Sequence, residues 1–316
     1  MSELAVTFAD IQMASELISP HIHRTPVMTC ETLNALSGRK LFFKCEHLQK
    51  VGAFKFRGAS HAVARLTEQQ KQNGVCTHSS GNHAQALALA AKQQQMPAYI
   101  VMPQTAPQVK VDSVRGYGTQ ITFCEPTQAA RESTAREIVE QTGATFIHPF
   151  DNPHVIAGQG TAALELLDEV PDLDAVICPV GGGGLASGTC LTVHGINPDM
   201  KVYAAEPVGA DDTYRSFQTR TRQSVGTPNT IADGLLTSVG ELTWPILQHH
   251  LSDVITVSDD QIISAMQLLW SRMKQIIEPS GAVPLAAILN HKLPDNLKKI
   301  GVILSGGNVD LKKLPW

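Results

Sequence analysis

Long apolar runs, closely spaced cysteines and an excess of either charge are all missing from this 316-residue chain. The longest apolar stretch near the C-terminus, Ala282 to Leu289, has fewer than half the ~20 residues a bilayer crossing needs, so no membrane span is expected. Twenty-five Lys and Arg against 29 Asp and Glu leave a net charge of −4. That balance argues against nucleic acid or an anionic membrane as the main partner. The six cysteines lie at least twelve positions apart and form no CxxC, which speaks against a zinc site or a disulfide framework and for reduced, mostly buried thiols. No basic segment followed by an apolar run opens the chain, so no secretory signal is expected and the cytoplasm is the expected compartment. With 43% hydrophobic and 17% charged residues, the composition is that of a soluble enzyme long enough for two domains.

What is present is an alternation of short β-rich runs and amphipathic helices. Leu41–Glu46 reads as a strand, and Phe56, Ala59, Ala62, Val63 and Leu66 follow at roughly helical spacing. Strands are expected at Val75–His78, Ala98–Val101, Gln120–Phe123 and Thr145–His148, with helices near 82–92, 107–115 and 128–141 between them. Asp174–Val180 is a continuous apolar run of the kind buried on both faces of a sheet. Lys201–Ala205 and Ile300–Leu304 complete the series. The pattern predicts an α/β protein of right-handed βαβ units with parallel sheets. Turn-rich Asn73-Gly74 and Pro149–Pro153 divide it into a large domain, 1–72 with 151–316, and a smaller inserted domain, 73–150.

Five segments are candidates for chemistry. Lys55 lies between Phe54 and Phe56 at a loop-to-helix junction. Burial there would favour the neutral amine, a nucleophile for a carbonyl; the plainer reading is a lysine that snorkels its charge to water. Gly181, Gly182, Gly183 and Gly184 follow a buried strand and open a helix, so their amides suit a phosphate. Gly181, Gly183 and Ala186, with Glu206 about twenty residues on, also sketch a dinucleotide site, which would make a nicotinamide oxidoreductase. Ser79-Ser80-Gly81-Asn82-His83 opens another helix and offers hydroxyls and amides to a small carboxylate, while Ser305 follows the last strand. Glu206, Asp211 and Asp212 form an acidic turn that is either solvated or holds Mg²⁺ or Ca²⁺. The pairs His21/His23 and His249/His250 lack a ligand set and read as ordinary surface or packing residues.

Taken together, Gly-x-Phe-Lys-x-Arg-Gly at Lys55, the Ser-Ser-Gly-Asn-His loop, the tetraglycine loop and the terminal Ser-Gly-Gly-Asn resemble the fold-type II pyridoxal phosphate enzymes. Within them they are most similar to serine racemases and serine/threonine dehydratases. The resemblance runs from Arg24-Thr25-Pro26 to Asp310. It implies the tryptophan synthase β-like fold, with pyridoxal 5′-phosphate in the cleft between two open parallel-sheet domains. Lys55 would bond the cofactor covalently and accept a proton on one face, and Ser80 would be the acid/base on the other. Phe54 would flank the ring, Asn82 would bond its phenolic oxygen, Gly181 to Gly184 would hold its phosphate and Ser305 would face its nitrogen. Ser79, Ser80 and His83 would bind the substrate. Glu206, the Ala210 carbonyl and Asp212 would hold a divalent cation. A homodimer is implied, with a possible effector nucleotide at the subunit interface.

The implied reaction is loss of the α-proton from an amino acid, with the cofactor as electron sink. Expulsion of a β-hydroxyl then leads to a keto acid and ammonia, whereas a proton returned by Ser80 gives the enantiomer. A neutral serine at the ring nitrogen favours prompt elimination, with racemisation second. Ala84 and Pro149–Pro153 look dehydratase-like, so a dedicated serine racemase and a 3-hydroxyaspartate dehydratase are the alternatives. The chain ends shortly after Ser-Gly-Gly-Asn, so the regulatory domain of some threonine dehydratases is not expected.

Overall fold

In the computed structural model, which describes residues 4–316, the strands sort into two sheets. In chain order they are β1 (Val27–Met28), β2 (Lys40–Cys45), β3 (Val75–His78), β4 (Ala98–Pro103), β5 (Gln120–Cys124), β6 (Thr145–Phe146), β7 (Ala175–Pro179), β8 (Lys201–Pro207), β9 (Asp253–Val257) and β10 (Lys299–Leu304). The larger sheet has the order β1-β2-β10-β7-β8-β9 and is parallel except for β1. The smaller, β5-β4-β3-β6, is parallel throughout. The chain leaves the larger sheet after β2, builds the smaller one, and returns at β7.

The central strands are apolar because helices cover both faces of the larger sheet: all five residues of β7 are buried, as are five of six in β10. Every expected strand forms, but β6 stops at Phe146, two residues short. There His148 turns its Nδ1 back onto the amides of Phe150 and Asp151, and the backbone leaves the ladder.

A buried ion network fixes the helix Lys55–Ala64. Arg57 donates to Glu46 at 2.7 Å and to Glu165 at 2.7 Å, and Lys44 reaches Glu165 at 2.7 Å. Arg57, Lys44 and Glu46 are fully buried, so each charge depends on its partners. The network begins two residues after Lys55 and anchors the turn that presents it.

Candidate active site

Parallel sheets present ligand groups beyond the carboxyl ends of their strands, where the strand order reverses. Here β3, β7 and β10 all end at one cavity of about 900 Å³ between the sheets. Phe54, Lys55, Ser79, Ser80, Asn82, His83, Gly181, Gly182, Gly183, Gly184 and Ser305, expected to act together, all line it.

Lys55 is held from both sides. The Phe54 amide donates to the Ser305 carbonyl at 3.0 Å, and Ala53 bridges Gly306, so the lysine turn is stitched to the end of β10. Its Nζ donates to the Pro149 carbonyl at 2.8 Å and stands 5.3 Å from the centroid of the Phe54 ring. With no carboxylate in contact, burial brings the ammonium down to about 8, within reach of the neutral amine at working pH.

The glycine loop admits no other residue at two positions. Gly183 has φ +91°, and a Cβ on Gly182 would lie 2.2 Å from the Phe150 ring. The carbonyl of Gly182 accepts from Thr243 Oγ1 at 2.8 Å, which fixes the loop's direction. The amides of Gly181 to Gly184 find no acceptor among the described residues, as an anion cradle at a helix start requires.

Across the cavity, Ser79 Oγ accepts from the Gly81 amide at 3.3 Å, which tightens the serine loop. Asn82 Nδ2 donates to Glu278 Oε1 at 2.9 Å, while its Oδ1 accepts from Asn308 Nδ2 at 2.8 Å. Only one of its two amide hydrogens is used, leaving the other for a ligand oxygen. His83 Nε2 lies 3.3 Å from the Ile147 carbonyl, so that nitrogen carries the hydrogen and the buried Nδ1 is a bare acceptor. Burial holds this ring neutral. His83 thus lines the cavity as a neutral ring, without a positive charge.

Among the lining residues that the sequence reading did not single out, four bear on the chemistry. Glu278 lies beneath Asn82, and burial raises its carboxyl to about 8. Its sequence signal was faint: an acidic residue before Pro279, which starts the helix Pro279–Leu289. Asp151 accepts from the amides of Glu241, Leu242 and Thr243, fastening the segment after Pro149 to a helix N-terminus of the large sheet. His148 and Arg131 complete the set. Besides Lys55, three cationic side chains line the cavity. Lys110 pairs with Asp233 at 2.5 Å and Arg222 with Glu241 at 3.3 Å. Arg131 has no acidic partner among the described residues, and its buried Nε has no hydrogen-bond partner.

Glu206 and Asp212 do not line this cavity. They are buried, Glu206 near the end of β8 and Asp212 just beyond it: Glu206 accepts from the amides of Thr213 at 3.3 Å and Tyr214 at 2.5 Å, and Asp212 from Val239 at 3.1 Å. Burial pushes Glu206 well above the usual carboxylate range and Asp212 to about 6. The nearest cation, Arg215, forms its ion pair with Asp211 rather than with either of them, so two buried acids with free lone pairs fit a hard divalent ion together with the Ala210 carbonyl. Among the described residues no cluster of three or more His, Cys, Asp or Glu is arranged for a metal, so carbonyl oxygen would have to complete the set. The same burial removes the dinucleotide reading, since a sealed Glu206 cannot reach a ribose hydroxyl.

The family described as pyridoxal-phosphate dependent enzyme matches residues 18–306. The chain belongs to that family. Serine racemase from Dictyostelium discoideum is 54% identical over 313 residues, 98% of this chain and 97% of its own. Its crystal structure matches with a TM-score of 0.94, covering 97% of this chain and 100% of that one. The beta-hydroxyaspartate dehydratase of Paracoccus denitrificans (strain Pd 1222) is 51% identical over 310 residues, 98% of each. The maize serine racemase structure, 46% identical, matches with a TM-score of 0.96 over 98% of this chain and 95% of that chain. Pyridoxal phosphate fits the cavity: an amine near neutrality, four unpartnered amides for a phosphate and a spare amide hydrogen on Asn82 all face it. No helix among the described residues is long and apolar enough to cross a membrane.

Proposed function

We propose that this pyridoxal phosphate enzyme catalyses β-elimination of a 3-hydroxy amino acid, L-serine or a relative of it, to a keto acid and ammonia, with racemisation as a second activity. The observation that carries the reading is the placement of Lys55 and Ser80 on one cavity with the glycine loop. When bound, the cofactor supplies the electron sink for the carbanion left by the α-proton. Lys55 Nζ takes and holds that proton. Ser80 Oγ, carried by the other sheet, returns one to the opposite face. The amides of Gly181 to Gly184 hold the phosphate, Phe54 flanks the ring, the second Asn82 hydrogen meets its phenolic oxygen and Ser305 meets its nitrogen with a neutral hydroxyl. Ser79 and the loop amides bind the substrate carboxylate, with the neutral His83 ring beside them.

The test is cofactor-loaded protein given L-serine, with pyruvate and D-serine quantified together, with Mg²⁺ and with chelator. Pyruvate in excess over D-serine is expected, and the absence of both products from serine and from 3-hydroxyaspartate would overturn the reading. Ser80→Ala should cut D-serine formation at least about a hundredfold, the lower end of the scale of one lost general acid/base, and pyruvate much less. Equal retention of both would remove Ser80 from its role.

A specific observation favours an acidic substrate. Arg131 is an unpaired guanidinium at the cavity, suited to a second carboxylate, so 3-hydroxyaspartate is the relative of serine we infer as preferred. Mg²⁺ or Ca²⁺ at Glu206, Ala210 and Asp212 belongs to the same proposal. Chelation should lower the melting temperature by about 5 °C, the scale expected for losing an ion at a hundredfold excess over its Kd. Glu206→Gln should abolish the response to added cation; a variant that still responds would place the ion elsewhere. We also infer a cytoplasmic homodimer with the smaller unit, 73–150, moving against the rest, and an effector nucleotide at the subunit interface. Sedimentation and small-angle scattering with and without nucleotide test these points.

A further inference from the structure

His148 lies between the end of β6 and Pro149, whose carbonyl holds Lys55. Its Nδ1 accepts from two backbone amides, Asp151 at 2.9 Å and Phe150 at 3.4 Å. A ring nitrogen that accepts from N–H groups carries no hydrogen, so in the neutral ring the hydrogen sits on Nε2. The Phe150 ring packs edge-on at 4.5 Å and His78 at 6.2 Å, which sets the orientation of the imidazole. Burial brings its basicity down to about 4, so the ring stays neutral through the physiological range. Nε2 has no partner among the described residues and, unlike the Nδ1 of His83, is not a buried atom, and His148 lines the cavity. A neutral imidazole with one hydrogen fixed towards a reacting oxygen is an electrophilic donor, not a proton source.

Resting on the reading of the site as a β-eliminase, we propose that His148 is a catalytic residue for the leaving group: its Nε2–H donates a hydrogen bond to the substrate's β-hydroxyl as the Cβ–O bond breaks. In that step the α-C–H bond breaks and its proton goes to Lys55 Nζ. The electron pair becomes the second bond between Cα and Cβ, and the β-oxygen leaves with the Cβ–O pair. Lys55 then returns the proton to that oxygen, which departs as water. His148 keeps its own hydrogen throughout and stabilises the charge building on the oxygen. No oxidant or reductant is consumed. Proximity favours the arrangement, because Lys55 and His148 meet through adjacent atoms of one backbone segment.

The role makes a demand that a structural role does not: it matters only when the leaving group needs a donor. Hydroxide does, chloride does not, and racemisation has no leaving group. His148→Asn keeps a side-chain oxygen for the Asp151 amide but withdraws the N–H from the cavity. In that variant, pyruvate formation from L-serine should fall about 10–100-fold, the range for loss of one placed donor. Pyruvate from β-chloro-L-alanine and D-serine formation should each change by less than about threefold. His148→Gln, which can again reach out with an N–H, should recover part of the serine elimination. Equal losses on serine and β-chloroalanine would overturn the proposal and make His148 a support for the loop. A second readout needs no turnover: ¹⁵N-histidine NMR of the resting protein should show His148 with Nε2 protonated, Nδ1 bare and no titration between about pH 6 and 9. The opposite tautomer would also overturn it. A wild-type protein inactive on both serine and β-chloroalanine would count against the β-eliminase reading, while the NMR result would still judge the placement of the hydrogen.

Discussion

Lys55→Ala should remove turnover of every amino-acid substrate, by at least about 10⁴-fold, and leave the protein folded. The two halves of the expectation have different physical origins. Lys55 Nζ makes a single protein hydrogen bond, to the Pro149 carbonyl, and that carbonyl faces a cavity where water can replace the ammonium. Stability should therefore change little. Arg57, two residues on, is the contrast: fully buried and paired with Glu46 and Glu165, its removal would leave Glu46 without a cation and Glu165 with Lys44 alone, and threaten folding. Activity depends on Lys55 because burial alone brings its amine close to neutrality, from 10.5 to about 8. The sign gives a second measurement. A lowered basicity means the reactive free amine grows as pH rises, from about a tenth at pH 7 to about nine tenths at pH 9. Uptake of pyridoxal phosphate by the apoprotein, followed by its visible absorbance, should rise across that window. Unchanged turnover in the variant would end the mechanism; flat uptake would end only the claim about burial.

Much of this was legible in the chain. The strands after which Lys55, Ser79, Gly181 and Ser305 fall are buried apolar runs, and buried parallel strands announce themselves without needing a partner in view. Glycines were equally informative, since Gly182 and Gly183 leave no room for a side chain. The strands missed, β1 and β9, are two residues and an Asp-Val-Ile-Thr-Val run with one exposed end. The first is too short to show a period. The site residues missed share a different cause. Glu278, Asp151, His148 and Arg131 act through where they meet other segments, and sequence spacing says nothing of that. Glu278 reaches Asn82 across 196 positions. His148 looked like the end of a strand, and its tautomer depends on amides that the strand's early end sets free. From its residues alone the acidic turn at Glu206 read as a solvated loop, and only the family resemblance favoured a cation there, because nothing local distinguishes a covered carboxylate from an exposed one.

Arg131→Leu should lower kcat/KM on 3-hydroxyaspartate by about 10²–10³-fold, the range for truncating one partner of an enclosed charge pair, and alter L-serine by less than about threefold. The helix gives no other reason for an arginine there. Arg131 stands in the first turn of Gln128–Thr142, capped by Thr127, where the helix dipole disfavours a cation. It forms no ion pair to offset that cost, whereas its neighbours at the cavity, Lys110 and Arg222, each have an acid. A guanidinium kept unpaired beside a reaction cavity has a partner that arrives with the substrate. In the proposed site the carboxylate of the amino acid is assigned to Ser79 and the amides of its loop, so the anion proposed for Arg131 is on the side chain. Leucine fills similar space without charge, so serine, whose side chain carries none, should be nearly indifferent. The decisive quantity is therefore the ratio of the two specificity constants, since a general disturbance of the small sheet would lower both. A parallel fall on serine and 3-hydroxyaspartate would make Arg131 a structural residue and return serine to first place among the substrates. A selective fall would assign the charge its ligand and set this enzyme apart by the acid it accepts.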